Sequence, residues 1–205
     1  MNGKMIVFDG NSILNRAYYG VRPLNTKDGF PTNALFGFVN ILQKNLASGY
    51  DYAAIAYDLR EKTFRHIRCD TYKATRRPMP EDLAKQLPVS KEIAELMGLH
   101  VLTAAGFEAD DILGTLSRIA KENDVECVIV TGDRDSYQLV CDGVTVHLAA
   151  NNETRIIDTK AIDEMYGLTP SQLIDLKAVM GDSSDNISGV PGIGEKGALV
   201  LMHQY

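Results

Sequence analysis

Carboxylates recur along this chain in groups that could hold metal ions. Three short runs rich in Ile, Val, Ala and Tyr each end at an aspartate: Phe8 leads to Asp9, Tyr57 to Asp58, and Thr131 to Gly132-Asp133-Arg134-Asp135. Glu108-Ala109-Asp110-Asp111 opens an amphipathic stretch, and Asp182-Ser183-Ser184-Asp185 follows another. In extended backbone Asp133 and Asp135 point the same way. On a helix of about 100° per residue, Glu108 and Asp111 lie about 60° apart. Each group alone has a plain structural use, since acids suit a first helical turn, Asp135 can cap a helix beginning at Ser136, and an aspartate after a strand is a common turn residue. Capping needs one acid per helix, however, and does not explain all of them together. Brought together, these acids would repel and raise one another's pKa unless cations neutralised them. An all-oxygen donor set without Cys or His suits Mg²⁺ or Mn²⁺. Two such ions about 4 Å apart can activate a water, hold a phosphodiester for in-line attack and stabilise the leaving oxygen. Because Mg²⁺ keeps several waters, some of the acids would act through water.

Positioning these groups is the task of the surrounding elements. Residues 4–8, 52–57, 127–131 and 144–148 read as buried strands, and helical patterns cover roughly 33–46, 81–97, 109–121 and 171–180. Strands alternating with helices predict an α/β fold with a mainly parallel sheet covered on both faces. Ligands of such sheets bind beyond the carboxyl ends of the strands, so the strand-end acids should meet in one crevice. Residues 70–82 break the pattern with Pro78, Pro80 and a polar run, and predict a mobile excursion from the sheet. From about residue 169 the strands stop. The expected division is an α/β core over 1–168 and a small helical appendage over 169–205.

The 205 residues, 45% of them hydrophobic, can bury a sizeable core. The longest uncharged apolar stretch, 99–107, is too short for a membrane span, and the start MNGKMIVFDG lacks the apolar centre of a signal peptide. No membrane association is expected. Cys69, Cys127 and Cys141 are odd in number, widely spaced and without C-x-x-C, which indicates a reducing cytosol and no zinc site. A net charge of −6 argues against a generic nucleic-acid binder. Yet Arg60, Lys62, Arg65, Arg68, Lys73, Arg76 and Arg77 crowd one stretch against only Glu61 and Asp70. With Asp58 and the eight clustered acids set aside, the remaining surface has more basic than acidic groups. A polyanion partner is therefore compatible with the acidic balance. Gly192-Ile193-Gly194-Glu195-Lys196-Gly197 spells G-x-G-x-x-G, but no strand precedes it, and Lys196 lies outside a P-loop pattern. What remains is a tight turn between two helices, able to present backbone N–H groups to a phosphate.

Together, FDGNSILNRA at 8–17, TFRH at 63–66, YKATRRPMPEDL at 72–83, EADDILGTL at 108–116, TGDRDSYQL at 131–139 and MGDSSDNISGVPGIGEK at 180–196 resemble the 5′ nuclease domain of bacterial DNA polymerase I, related to flap endonucleases. The resemblance runs in order along nearly the whole chain. It implies a PIN-like or resolvase-like core with a helix-hairpin-helix appendage, and structure-specific cleavage of DNA at 5′ ends and 5′ flaps by two divalent metals. Asp9, Glu108, Asp110 and Asp111 would surround one metal, with Asp133, Asp135, Asp182 and Asp185 completing the second site and Asp58 in support. Lys73 and Arg76, from a basic arch over about 60–88 that includes Arg77, would neutralise the scissile phosphate. Tyr72 would stack on a base and Arg65 would hold a phosphate. Gly189, Val190, Gly192, Ile193, Gly194 and Lys196 would grip the duplex backbone, in the family often with a bound K⁺. A monomer in the bacterial cytoplasm, associated with the nucleoid and joined to a polymerase region, is the implied setting. Ser188 and Gly197 depart from the family's usual Pro and Thr. The chain also stops at Tyr205, where the family's domain continues, so a truncated appendage is expected.

Other readings use some of the same residues. A haloacid-dehalogenase-type phosphatase would use a strand-end aspartate and Mg²⁺, but Asp9-Gly10-Asn11 lacks the second acid of its D-x-D motif. A catalytically silent or incomplete module binding branched DNA is a second reading, and an RNA-cleaving relative a third.

Overall fold

Alternation along the first strand explains the layering: Ile6 and Phe8 pack on one face of a central sheet and Val7 on the other, all three fully buried. The computed structural model describes residues 2–149 and 154–205. Its main sheet has six strands, β1 (Lys4–Asp9), β2 (Tyr52–Ala56), β3 (His100–Leu102), β4 (Glu126–Thr131), β5 (Val144–Ala149) and β6 (Thr154–Ile157), in the order β3-β2-β1-β4-β5-β6. All neighbours pair parallel except β5 with β6. Helices α1 (Gly10–Gly20), α2 (Asn33–Leu46) and α4 (Glu81–Leu96) cover one face, where Phe38, Leu42 and Leu83 meet Ile55. The opposite face carries α5 (Ala109–Glu122), α6 (Thr159–Tyr166), α7 (Gln172–Met180) and α8 (Glu195–Gln204). Short helix α3 (Phe64–Arg68) lies between β2 and α4. Among the described residues no helix is long and apolar enough to cross a membrane.

Beyond β6, α3 and α6, which the sequence reading does not place, four features depart from the sequence expectation. Helix α1 buries only Gly10, Ile13, Leu14 and Ala17, and its polar Asn11, Ser12, Asn15 and Arg16 hide the helical period. Strand β3 is three residues long, too short for alternation to register. Strands do not end at residue 169: β7 (Gly181–Asp182) and β8 (Ile187–Ser188) form a two-residue antiparallel pair. Finally, residues 71–76 do not project freely. They fold back on residues 184–186, because Tyr72 is only 6% exposed and Lys73 N–H donates to the Asp185 carbonyl at 2.9 Å.

Glycine is required where β7 closes on the turn after β8. A Cβ on Gly189 would lie 2.3 Å from the Met180 carbonyl carbon and 2.4 Å from the Gly181 nitrogen. Backbone cannot yield as a flexible side chain would, so Gly189→Ala is expected to cost about 1–3 kcal/mol. Thermal unfolding should show a fall of about 2–12 °C. An unchanged melting temperature would refute the close approach.

Candidate active site

The strand order makes β1 the point at which the chain switches sides, with β2 and β4 as its neighbours. A crevice therefore opens at the carboxyl ends of these strands. Asp9 is the last residue of β1, Asp58 lies two residues beyond β2, and Asp133 two beyond β4. Each is fixed by the local backbone. Asp9 accepts from Ser12 N–H at 2.9 Å, capping α1, and from the Thr131 hydroxyl at 2.9 Å. Asp58 accepts from Ala109 N–H at 2.7 Å and so ties β2 to the first turn of α5. Asp133 caps a 3₁₀ helix (Arg134–Leu139) by accepting from Asp135 N–H at 3.0 Å. Asp133 and Asp135 thus stand at a helix start and not along extended backbone, as their spacing had implied.

Asp9, Asp58, Glu108, Asp110 and Asp133 line a cavity of about 910 Å³, with Lys73, Arg76 and Arg77 also on its wall. Asp110 also borders an adjoining cavity of about 290 Å³ that includes Asp111 and Asp135. Burial pushes the Asp9 carboxyl up to about 6, with Asp58 and Asp133 adding repulsion and the Ser12 and Thr131 hydrogen bonds opposing it. Asp110 is open to crevice solvent on one side, yet desolvation by the crevice walls, together with Asp9, Asp133 and Asp58, pushes it up to about 7. Lys73 is the principal opposing charge. These acids present only oxygen donors and excess negative charge, which fits a hard divalent cation.

The remaining acids are already engaged by basic side chains. Glu108, 7% exposed, accepts from Lys73 Nζ at 2.8 Å and from the Tyr72 hydroxyl at 3.0 Å. Asp185 accepts from the Tyr72 hydroxyl at 3.1 Å and pairs with Arg76. Arg65 grips Asp111 with two hydrogen bonds, at 2.7 and 2.8 Å. Burial opposes the ionised form of Asp111, but Arg65 and the Glu108 N–H outweigh it and hold the carboxyl below its usual range. Lys177 stands between Asp135 and Asp182, at 2.7 and 2.8 Å. For Asp182 burial is outweighed by Lys177 and the Ser184 donors, which bring it down to about 2. Asp135 shares the same lysine but is raised, because its greater desolvation and the nearby Asp133 prevail. Among the described residues no three His, Cys, Asp or Glu side chains stand ready as a ligand set. A cation ligated by Asp135 and Asp182 together would displace Lys177.

The side chains assigned to DNA contact fall in two places. Lys73, Arg76 and Arg77 line the crevice, whereas Arg65 is held on Asp111. The Tyr72 ring is buried with its hydroxyl spent on two carboxylates, so in this arrangement it offers no face to a base. Val190, Gly192 and Gly194 are exposed on the turn before α8 and Lys196 is exposed in the first turn of α8, all outside the crevice, while Ile193 tucks against the core. Gly189 packs on Met180 and Gly181.

Two basic residues escaped the sequence reading. Lys177 sits in α7, and nothing in its spacing announces that it bridges Asp135 and Asp182. Arg16 lines the crevice from α1 with its Nε buried and no hydrogen-bond partner. It rests on Gly132, where an added Cβ would come within 3.3 Å of the Arg16 Cδ. The signal available was its position seven residues, about two helical turns, after the capping Asp9, which puts Arg16 on the same side of α1 as that cap.

Comparison with known proteins agrees with this architecture. Residues 4–167 match the family described as 5′-3′ exonuclease, N-terminal resolvase-like domain, and residues 168–205 match 5′-3′ exonuclease, C-terminal SAM fold. DNA polymerase I of Caldicellulosiruptor bescii is 40% identical over 207 residues, covering 98% of this chain and 24% of that protein. For DNA polymerase I of Bacillus subtilis the identity is 38% over 205 residues, with 98% and 23% covered. The chain thus spans about a quarter of the length of these relatives. Among solved structures, T5 5′-exonuclease with bound divalent zinc has a TM-score of 0.78 at 24% identity, covering 98% of this chain and 75% of that one. The catalytic core of Rad2 in complex with DNA substrate has a TM-score of 0.60 at 18% identity, covering 99% and 61%. These two likenesses show the fold. Since the two family matches together run from residue 4 to residue 205 and relatives near 40% identity extend along almost all of it, this chain belongs to the 5′-3′ exonuclease family.

Proposed function

We propose that this chain is a structure-specific 5′ nuclease that hydrolyses phosphodiester bonds of DNA at 5′ ends and 5′ flaps with two divalent cations, Mg²⁺ or Mn²⁺. The observation that carries the reading is the crevice itself: Asp9, Asp58, Asp110 and Asp133 share uncompensated charge opposite Lys73 and Arg76. Asp9, Glu108, Asp110 and Asp111 would hold one ion, and Asp133, Asp135, Asp182 and Asp185 the other, some through water. Bound there, such ions supply an activated water and charge stabilisation at the phosphate.

The chain's own residues supply the rest. Lys73 and Arg76, now on Glu108 and Asp185, would transfer to the non-bridging oxygens of the scissile phosphate. Arg65 would keep Asp111 ionised, and Lys177 would hold Asp182 ionised only until a cation on Asp135 and Asp182 displaces it. The exposed turn at 189–194, with Lys196 and a K⁺, would grip the duplex backbone without reading sequence. In this reading 1–168 is the nuclease core and 169–205 the duplex-binding segment. A joined polymerase region, a monomeric state and a place in the bacterial cytoplasm belong to the same proposal.

Single-turnover cleavage of a labelled 5′-flap DNA, beside blunt duplex and single strand, tests it. Incision near the flap junction with Mg²⁺, abolished by EDTA and by Asp110→Asn, is the expected result. Binding without incision would instead identify a branched-DNA-binding module.

A further inference from the structure

The contact between residues 71–76 and the loop at 182–188 joins backbone and side-chain groups, with the Tyr72 hydroxyl and the Arg76 guanidinium on the Asp185 carboxylate. Lys73 N–H donates to the Asp185 carbonyl at 2.9 Å, and Arg76 Nε to the Ser184 carbonyl at 3.3 Å. Asn186 reaches back across the same junction, its side-chain amide donating to the Thr71 carbonyl at 2.8 Å. Lys73 and Asn186 both have φ of 56°, a left-handed backbone that asparagine tolerates better than most residues with a Cβ. The loop carrying Asn186 is closed at its base by the β7–β8 pair and by the Gly181–Gly189 approach. It is therefore a firm support for whatever its tip holds. What it holds is the root of the segment that delivers Lys73 Nζ to Glu108 and Arg76 to Asp185.

We propose that Asn186 is a positioning residue: its amide, offered from a left-handed turn, clamps the Thr71 carbonyl and thereby sets Lys73 and Arg76 at the crevice. It touches neither the carboxylates of the crevice nor the place assigned to the phosphate. Its effect on cleavage passes through the two basic side chains and rests on the nuclease reading above. Side-chain placement errors near 1 Å are costly to catalysis, so loosening this root should be felt in turnover more than in binding.

Two substitutions isolate the amide. Asn186→Gly keeps the left-handed backbone and removes the donor, and Asn186→Asp keeps the shape but presents only acceptors to a carbonyl. Both should lower kcat on flap DNA by on the order of tenfold, with KM and duplex affinity within about twofold of wild type. In a Lys73→Ala, Arg76→Ala background neither should cause a further loss, as expected of groups acting as a unit. Hydrogen exchange at the Lys73 amide should quicken by on the order of tenfold in both variants, whether or not DNA is cut. Unchanged Lys73 exchange in both would overturn the clamp. A full additional loss of kcat in the doubly substituted background would overturn action through Lys73 and Arg76. Absence of cleavage by the wild type would overturn the nuclease reading, while the exchange measurement still decides the clamp.

Discussion

Replacing Lys73 by alanine is expected to slow single-turnover cleavage of flap DNA by about two to three orders of magnitude while changing DNA affinity by no more than about threefold. Its ammonium is 2.8 Å from Glu108 and its side chain only 17% exposed, so it stands inside the crevice and not on the outer binding surface. A cation held there encounters the phosphate where charge develops during hydrolysis, which makes its contribution larger in the transition state than in the bound substrate. Substitution should leave the fold intact, because Glu108 keeps the Tyr72 hydroxyl at 3.0 Å and Arg65 at 3.8 Å. Parallel losses of rate and affinity would show that Lys73 merely helps to bind DNA.

The second large effect joins stability to pH. Asp9 and Asp110 have folded-state pKa values of about 6 and about 7 against a reference of 3.8, so the folded protein holds their protons more tightly than the unfolded chain does. Below about pH 4 both groups are protonated in both states and impose no penalty. As pH rises from about 4 to about 7 the unfolded chain ionises first, and stability falls. For buried Asp9 the full loss is up to about 3 kcal/mol. Asp110 is open to crevice solvent, so its share is taken as about 1–2 kcal/mol. Asp182 acts with the opposite sign: its stabilisation is present above about pH 4 and disappears as pH falls through about 2, outside this window.

Without divalent cations, then, the melting temperature should decline between pH 4 and pH 7. Millimolar Mg²⁺ or Mn²⁺ should flatten that decline by binding the folded form. Asp110→Asn should raise the metal-free melting temperature at pH 7 by about 2–8 °C and lower cleavage by about a thousandfold or more. Greater stability with lost activity is the signature of carboxylates assembled for function. A metal-free melting temperature that is flat from pH 4 to 7 and indifferent to Asp110→Asn would rule this account out.

Much of the site is legible in residue type and spacing, because those set local direction. A strand that alternates Ile6, Val7 and Phe8 and then stops at Asp9 must deliver that carboxylate to the carboxyl end of the sheet, and the same holds for Asp58 and Asp133. Glu108, Asp110 and Asp111 follow from a helix start, and the parallel sheet from strands that alternate with helices. Helix α1 was hidden by its polar face, although it carries Arg16 into the crevice.

Pairing between distant charges was beyond reach of the sequence for a different reason. Lys177 settles between Asp135 and Asp182, Arg65 on Asp111, and Tyr72 beneath Glu108 and Asp185. Which cation meets which carboxylate depends on how helices and loops pack across many residues, and a composition or a spacing carries no such coordinate. The sequence by itself determined that many acids and a basic segment would share one end of an α/β sheet. Only the tertiary structure decided that the basic segment folds back onto those acids, because burying Tyr72 and pairing its neighbours satisfies groups that would otherwise stand as unpaired like charges.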